Sequence, residues 1–178
     1  TSISLTTKKR MQTVNQTIYI MVWLPWSWKS TWVKKQFAED KFKLWTKVLS
    51  RDDIRDKMWF ERPTTREQEE DVSERWRTLL TEYCEDWYDV VIDDCNVKRQ
   101  NHELIQEVIT RALPNNVFRY KLVWMQPHDL DNKMYLDMCK KRNKLRADEW
   151  WRFVPEQIID DMFIWYIQLK NLLIKSIK

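Results

Sequence analysis

Residues 23–31 read Trp-Leu-Pro-Trp-Ser-Trp-Lys-Ser-Thr. With glycine at 23, 26 and 28 the stretch would be the phosphate-binding loop G-x-x-x-x-G-K-S/T, closing on Lys29, Ser30 and Thr31. That loop works because bare backbone N–H groups close around an anion. Glycine serves there because it reaches positive φ freely and carries no side chain to obstruct the anion. Tryptophan reverses both properties. The loop follows residues 17–23, Thr-Ile-Tyr-Ile-Met-Val-Trp, a short apolar run suited to a strand buried on both faces of a parallel sheet. Ser30 to Glu39 then reads as a helix. Strand, loop and helix in this order give the stretch its meaning.

Composition sharpens the contradiction. The 178 residues include no glycine and 12 tryptophans. At ordinary usage of about 7%, roughly a dozen glycines are expected. Trp32, Trp76, Trp124 and Trp165 fall inside elements, where an aromatic is ordinary. Trp23, Trp26, Trp28, Trp45, Trp59, Trp87, Trp150 and Trp151 fall at turns or element ends, where indoles are not normally used. The pattern reads as systematic replacement of glycine by tryptophan.

The remaining composition bounds the class. Hydrophobic residues at 43% and charged residues at 33% make a soluble globular balance. The net charge of +4 permits an anionic partner without requiring one. Cys84, Cys95 and Cys139 are far apart and form no C-x-x-C pair, which argues against a zinc site or disulfide framework and fits a reducing cytoplasm. His102 and His128 stand alone and read as surface or capping residues. No apolar run is long enough to span a bilayer. Residues 1–16, polar with a basic cluster at Lys8, Lys9 and Arg10, read as an N-terminal tail, and residues 17–178 as a single domain.

Further along, residues 46–50, 88–93 and 117–125 read as strands. Residues 65–85, 98–112, about 130–145 and 155–173 read as helices. In the first of these helices, Val72, Trp76, Leu79, Leu80 and Tyr83 recur at three- and four-residue steps. Strands alternating with helices imply an α/β fold with a parallel sheet and right-handed crossovers. Ligands of such folds bind beyond the carboxyl ends of the strands. The residues there are 23–31, Arg51 to Arg55, Asp93 to Asn96, and the segment after Met125.

Each segment has a chemical and a plain reading. Lys29 suits the β- and γ-phosphates of a nucleotide and Ser30 a Mg²⁺ ion, against a lysine and serine that merely open a helix. In Arg51-Asp52-Asp53-Ile54-Arg55 a carboxylate can accept a hydroxyl proton and an arginine can hold an anionic acceptor. The same block reads equally well as a helix start, where acidic residues are favoured. Asp94 ends an apolar strand, a Walker B-like place near Mg²⁺ and also a common turn position. Lys140, Lys141, Arg142, Lys144 and Arg146 form a solvated basic face or a lid over phosphates.

Four of these blocks together resemble the 5′-hydroxyl kinase domain of phage-type polynucleotide kinases. Residues 23–32 resemble that family's G-x-P-G-S-G-K-S-T-W loop, and Arg51 to Arg55 its R-D-D-x-R block. Asp94-Cys95-Asn96 is similar to its D-T-N block, and Arg142 to Arg146 to its R-N-x-x-R lid. Order and spacing agree over about residues 17–170. The resemblance implies a P-loop kinase-like parallel sheet flanked by helices, with a helical lid. It implies ATP and Mg²⁺ held by Trp26, Ser27, Trp28, Lys29, Ser30 and Thr31, with Ser30 and Asp94 toward the metal. It implies Asp52 as the base on the 5′-hydroxyl, Arg55 on the acceptor's phosphate, and Arg142 and Arg146 on the ATP phosphates. The implied partner is a DNA or RNA 5′-hydroxyl end, in the repair of broken strands. Members of the family assemble as oligomers, which leaves homo-oligomerisation open here.

Three readings follow. The first is the polynucleotide 5′-kinase. The second is a P-loop kinase of a small molecule. The third is a catalytically dead, kinase-like domain that still binds single strands, and indoles at 23, 26 and 28 favour it for the chain as spelled.

Overall fold

A computed structural model describes residues 16–27, 29–114, 118–148 and 153–175. The tail read at residues 1–16 lies outside them except for Gln16, as do Trp28, Trp150 and Trp151. In chain order the elements are β1 (Thr17–Val22), α1 (Lys29–Ala38), β2 (Lys47–Leu49), α2 (Arg51–Lys57) and α3 (Arg66–Glu85). Then come β3 (Val90–Ile92), α4 (Arg99–Ala112), β4 (Arg119–Trp124), α5 (Asn132–Asp148) and α6 (Glu156–Lys175).

The strands form one parallel sheet in the order β2-β3-β1-β4. Because every strand runs the same way, the loops after β1, β2, β3 and β4 share one edge. β1 lies inside the sheet, its Ile20 in register with Ile92 on one side and Leu122 on the other. Its alternation sorts the core into two faces. Ile18 and Ile20 pack with Leu49, Trp76, Leu80 and Ile105 beneath α3 and α4. Met21 packs with Val33, Phe42, Val91 and Val123 on the α1 side. A third cluster joins Val22 and Leu24 to Tyr135, Cys139 and Tyr166 of α5 and α6. β4 is an edge strand, and its exposed Arg119, Tyr120 and Lys121 discourage further pairing.

Local signals explain most boundaries. Thr65 and Gln68 form a reciprocal capping box at the start of α3. Val72, Trp76, Leu80 and Cys84, four apart, make its buried stripe. Residues 51–55, read evenly as a binding block or a helix start, open α2, with Ser50 as N-cap.

Helix ends reveal how the chain manages without glycine. After α2, Trp59 has φ 60°; its N–H donates to the Asp56 carbonyl at 3.1 Å and that of Phe60 to Arg55 at 3.0 Å. After α3, Trp87 has φ 64°, with the same two bonds from Trp87 to Cys84 and Tyr88 to Tyr83. Both are Schellman endings, whose left-handed residue is usually glycine. α1 ends the same way on Asp40, at φ 52°. Neither Trp23 nor Trp45, also read as turn tryptophans, takes positive φ.

Candidate active site

The loop after β1 is built on a turn. The Ser27 N–H donates to the Leu24 carbonyl at 3.1 Å, Pro25 takes the second place and Trp26 the third, at φ 68°. Proline followed by a positive-φ residue is the type II pattern, normally Pro-Gly. A side-chain-bearing residue there costs roughly 1–2 kcal/mol. The Trp26 indole also fastens the loop to α5. Its Nε1 donates to Asn143 Oδ1 at 2.6 Å, and the Arg146 guanidinium lies 4.9 Å from the ring centre. Fully buried Asn143 also bonds the Val154 backbone, accepting from its N–H at 3.0 Å and donating to its carbonyl at 2.6 Å.

Lys29 opens α1 and faces inward. Its Nζ lies 4.3 Å above the buried Trp23 ring and 3.1 Å from Asp93 Oδ1. Burial pushes the Asp93 carboxyl up, and the Lys29 ammonium opposes that shift. A cation expected to meet phosphate is therefore held by an indole and a carboxylate of the chain itself.

Across the cleft, the end of β3 organises α2. Asp94 accepts from the Arg51 N–H at 2.9 Å and from Trp76 Nε1 at 3.1 Å. Burial raises its carboxyl to about 6, against the lowering effect of Arg51. Asp52 sits one residue further along, 2.9 Å from Arg55 and 3.2 Å from Arg62. Arg55 also grips Glu69 of α3 with two 2.7 Å bonds, and the Thr64 hydroxyl donates to the same carboxylate. Arg55 is the main reason the Glu69 carboxyl falls to about 2. Asn96, left-handed at φ 46°, donates to the carbonyls of Met21 and Asp94, both at 2.9 Å. The Asn96 carbonyl meets His102 Nε2 at 2.6 Å, giving that histidine a bracing role.

These walls enclose one cavity of about 610 Å³. Every described residue of the site read from sequence lines it. The loop side contributes Trp26, Ser27, Lys29, Ser30 and Thr31. The opposite side contributes Asp52, Arg55 and Asp94, and α5 contributes Arg142 and Arg146. Trp28 lies outside the described residues. The structure adds Asp93 on Lys29, Arg62 on Asp52, Glu69 behind Arg55, and Asn143 on Trp26. The sequence placed Asp93 in the segment beyond a strand end and Asn143 within the lid block, but assigned neither a role.

In charge, the donor set fits a nucleoside triphosphate with a divalent cation. Lys29, Arg142 and Arg146 supply positive charge beside the N-terminus of α1. Among the described residues no group of three or more His, Cys, Asp or Glu could hold a metal unaided. That suits Mg²⁺, which typically takes one or two carboxylates plus substrate phosphates. The indoles of Trp23 and Trp26 fill wall that glycine would leave open.

Residues 18–166 match the family model described as AAA domain. The chain belongs to the AAA domain family. Two solved structures are similar to this AAA domain. One, of the Pnkp1/Rnl/Hen1 RNA repair complex, has 18% identity and a TM-score of 0.70, and the match covers 92% of this chain and 48% of that one. Another, of the Pnkp1/Rnl/Hen1 complex, has 18% identity and a TM-score of 0.54, covering 74% and 41%. At this identity the likeness concerns the fold, and the AAA domain spans about half the length of the chains it matches. None of the curated proteins compared with it matches in sequence. Among the described residues no helix is long and apolar enough to cross a membrane.

Proposed function

We propose that this chain is an ATP-dependent polynucleotide 5′-hydroxyl kinase, acting on DNA or RNA ends, with Mg²⁺ and in a reducing cytoplasm. The observation that carries the reading is one cavity joining Lys29, Arg142 and Arg146 to Asp52 and Arg55. A phosphate-binding loop alone serves many chemistries. A carboxylate flanked by guanidiniums on the facing wall is what a hydroxyl acceptor beside an anionic strand requires. The likeness to a solved RNA repair complex points the same way.

The bound nucleotide supplies the phosphoryl group, and this chain's residues do the rest. Asp52 accepts the proton of the 5′-hydroxyl. Arg55 and Arg62 flank it and draw in the acceptor's phosphate. Lys29, Arg142 and Arg146 gather the negative charge of the transferring group. Asp94, bonded to the Arg51 N–H, holds the start of α2 and so positions Asp52.

We also propose that Trp26, Trp59 and Trp87 occupy backbone positions built for glycine, on the strength of their φ values of 68°, 60° and 64°. This favours a second reading for the chain as spelled: a kinase fold whose loop excludes the nucleotide. The seating of the Lys29 ammonium on the Trp23 ring, where a phosphate would otherwise draw it, is the specific observation behind it.

Phosphate transfer from ATP to a 5′-hydroxyl oligonucleotide tests both. The kinase reading expects transfer, reduced at least about a hundredfold by Asp52→Asn; undiminished transfer removes Asp52 from the reaction. Where the chain is inactive but Trp23→Gly, Trp26→Gly and Trp28→Gly together restore transfer, only the loop is blocked. Inactivity of that triple variant overturns the polynucleotide kinase reading.

A further inference from the structure

A second groove, of about 690 Å³, opens between the first turn of α4 and the C-terminal half of α6. Lys98, Arg99, Gln100 and Asn101 line one wall, Trp165 and Gln168 the other. Asn101 also lines the cleft that holds Lys29 and Asp52, so the two cavities adjoin. No described acidic residue lines the groove, and the first turn of α4 carries none. Arg99 is paired with Glu103 at 2.7 Å, so it is Lys98 that meets the positive end of the helix there without a lining carboxylate to offset it.

Lys98 carries the decisive geometry. It holds the N-cap position of α4 but makes no side-chain capping bond. Its exposed side chain instead places Nζ 3.9 Å above the Trp165 indole. An indole face with an exposed cation above it and side-chain amides beside it is the combination that binds single-stranded nucleic acid. A base stacked on Trp165 would displace the ammonium toward the adjoining phosphate, so one exchange satisfies both groups. Gln100, Asn101 and Gln168 offer donors and acceptors to base edges.

We infer that this groove is a second subsite for the acceptor strand, taking a nucleotide inward of the 5′-hydroxyl end. The inference rests on the polynucleotide reading of the main cleft. The strand leaves the Asp52 cleft past Asn101, lays a base on Trp165, and passes a phosphate along Lys98.

The test is equilibrium binding, which does not depend on turnover. The full chain is titrated with a 5′-hydroxyl thymidine dinucleotide, confined to the cleft, and with a longer oligothymidylate that reaches the groove. Trp165→Leu should weaken the longer strand about tenfold, the worth of one stacked base, while Trp165→Phe keeps most of its affinity. Lys98→Ala should flatten the plot of log affinity against log salt by about 0.7, one phosphate contact on a single strand. The dinucleotide should bind all variants alike. If the longer strand binds Trp165→Leu and Lys98→Ala with wild-type affinity and salt slope, the groove is not a subsite, though the kinase reading stands. If wild type binds neither ligand, the polynucleotide reading fails and this inference fails with it.

Discussion

Replacing Trp59 with glycine should stabilise the protein, although it removes the largest type of side chain. Trp59 is 90% exposed, so its indole contributes little buried surface. Its backbone is left-handed at φ 60°, at the Schellman end of α2. Relief of that conformation is worth roughly 1–2 kcal/mol. Glycine loses more backbone freedom on folding, which offsets roughly 0.5–1 kcal/mol. The net gain is about 0.5–1 kcal/mol. For a chain of this size that raises Tm by about 1–4 °C. Denaturant unfolding should show a higher midpoint at unchanged slope. Trp59→Ala is the control, since alanine loses the indole but keeps the Cβ that opposes positive φ; it should stay within about 0.5 kcal/mol of wild type. If Trp59→Gly proves no more stable than Trp59→Ala, the strain argument is wrong, and with it the reading of these tryptophans as glycine positions.

Two further outcomes follow from the site. Asp94 has a folded pKa raised from 3.8 to about 6, so the folded state holds an extra proton between those values. Its contribution to stability is then full below pH 3.8 and is lost as pH rises toward 6. Asn cannot titrate, so the stability of Asp94→Asn minus that of wild type should grow across this window and level off above it; urea unfolding at pH values on either side measures the difference, and a flat difference refutes the assignment. Asn143→Ala should cost on the order of 3 kcal/mol, because it strands the half-buried Val154 N–H and carbonyl together with the Trp26 indole N–H. Thermal unfolding reads that loss, and an unchanged Tm would mean water or a neighbour replaces the amide.

Much of this molecule could be read from one dimension because the decisive signals are local. A five- to seven-residue apolar run, a turn and a helix start lie together at residues 17–39, and the parallel sheet follows from repeating that unit. α2 was the ambiguous case. Its seven residues are too few to show a period, and its cap, Ser50, is the last residue of the stretch read as a strand. Trp45 shows the limit of reasoning from residue type: it sits in a turn, as read, but in one that needs no positive φ.

The site was legible as a set of residues but not as a set of contacts. Asp93 and Asp94 are adjacent just past the end of β3, where the alternation of a strand no longer dictates direction. Which one faces Lys29 is decided by Asn96, whose left-handed backbone and two carbonyl contacts shape the turn, and by the Arg51 N–H that takes Asp94. Glu69 is 14 residues from Arg55, on another helix, and its bidentate grip depends on how α2 packs against α3. No spacing rule encodes that angle. The consequence for chemistry is direct: Lys29 and Arg55 both begin paired to carboxylates of the chain, so an incoming phosphate must compete with Asp93 for one and Glu69 for the other. Affinity for anions at this cleft therefore measures an exchange of partners, and weakening either carboxylate should raise it.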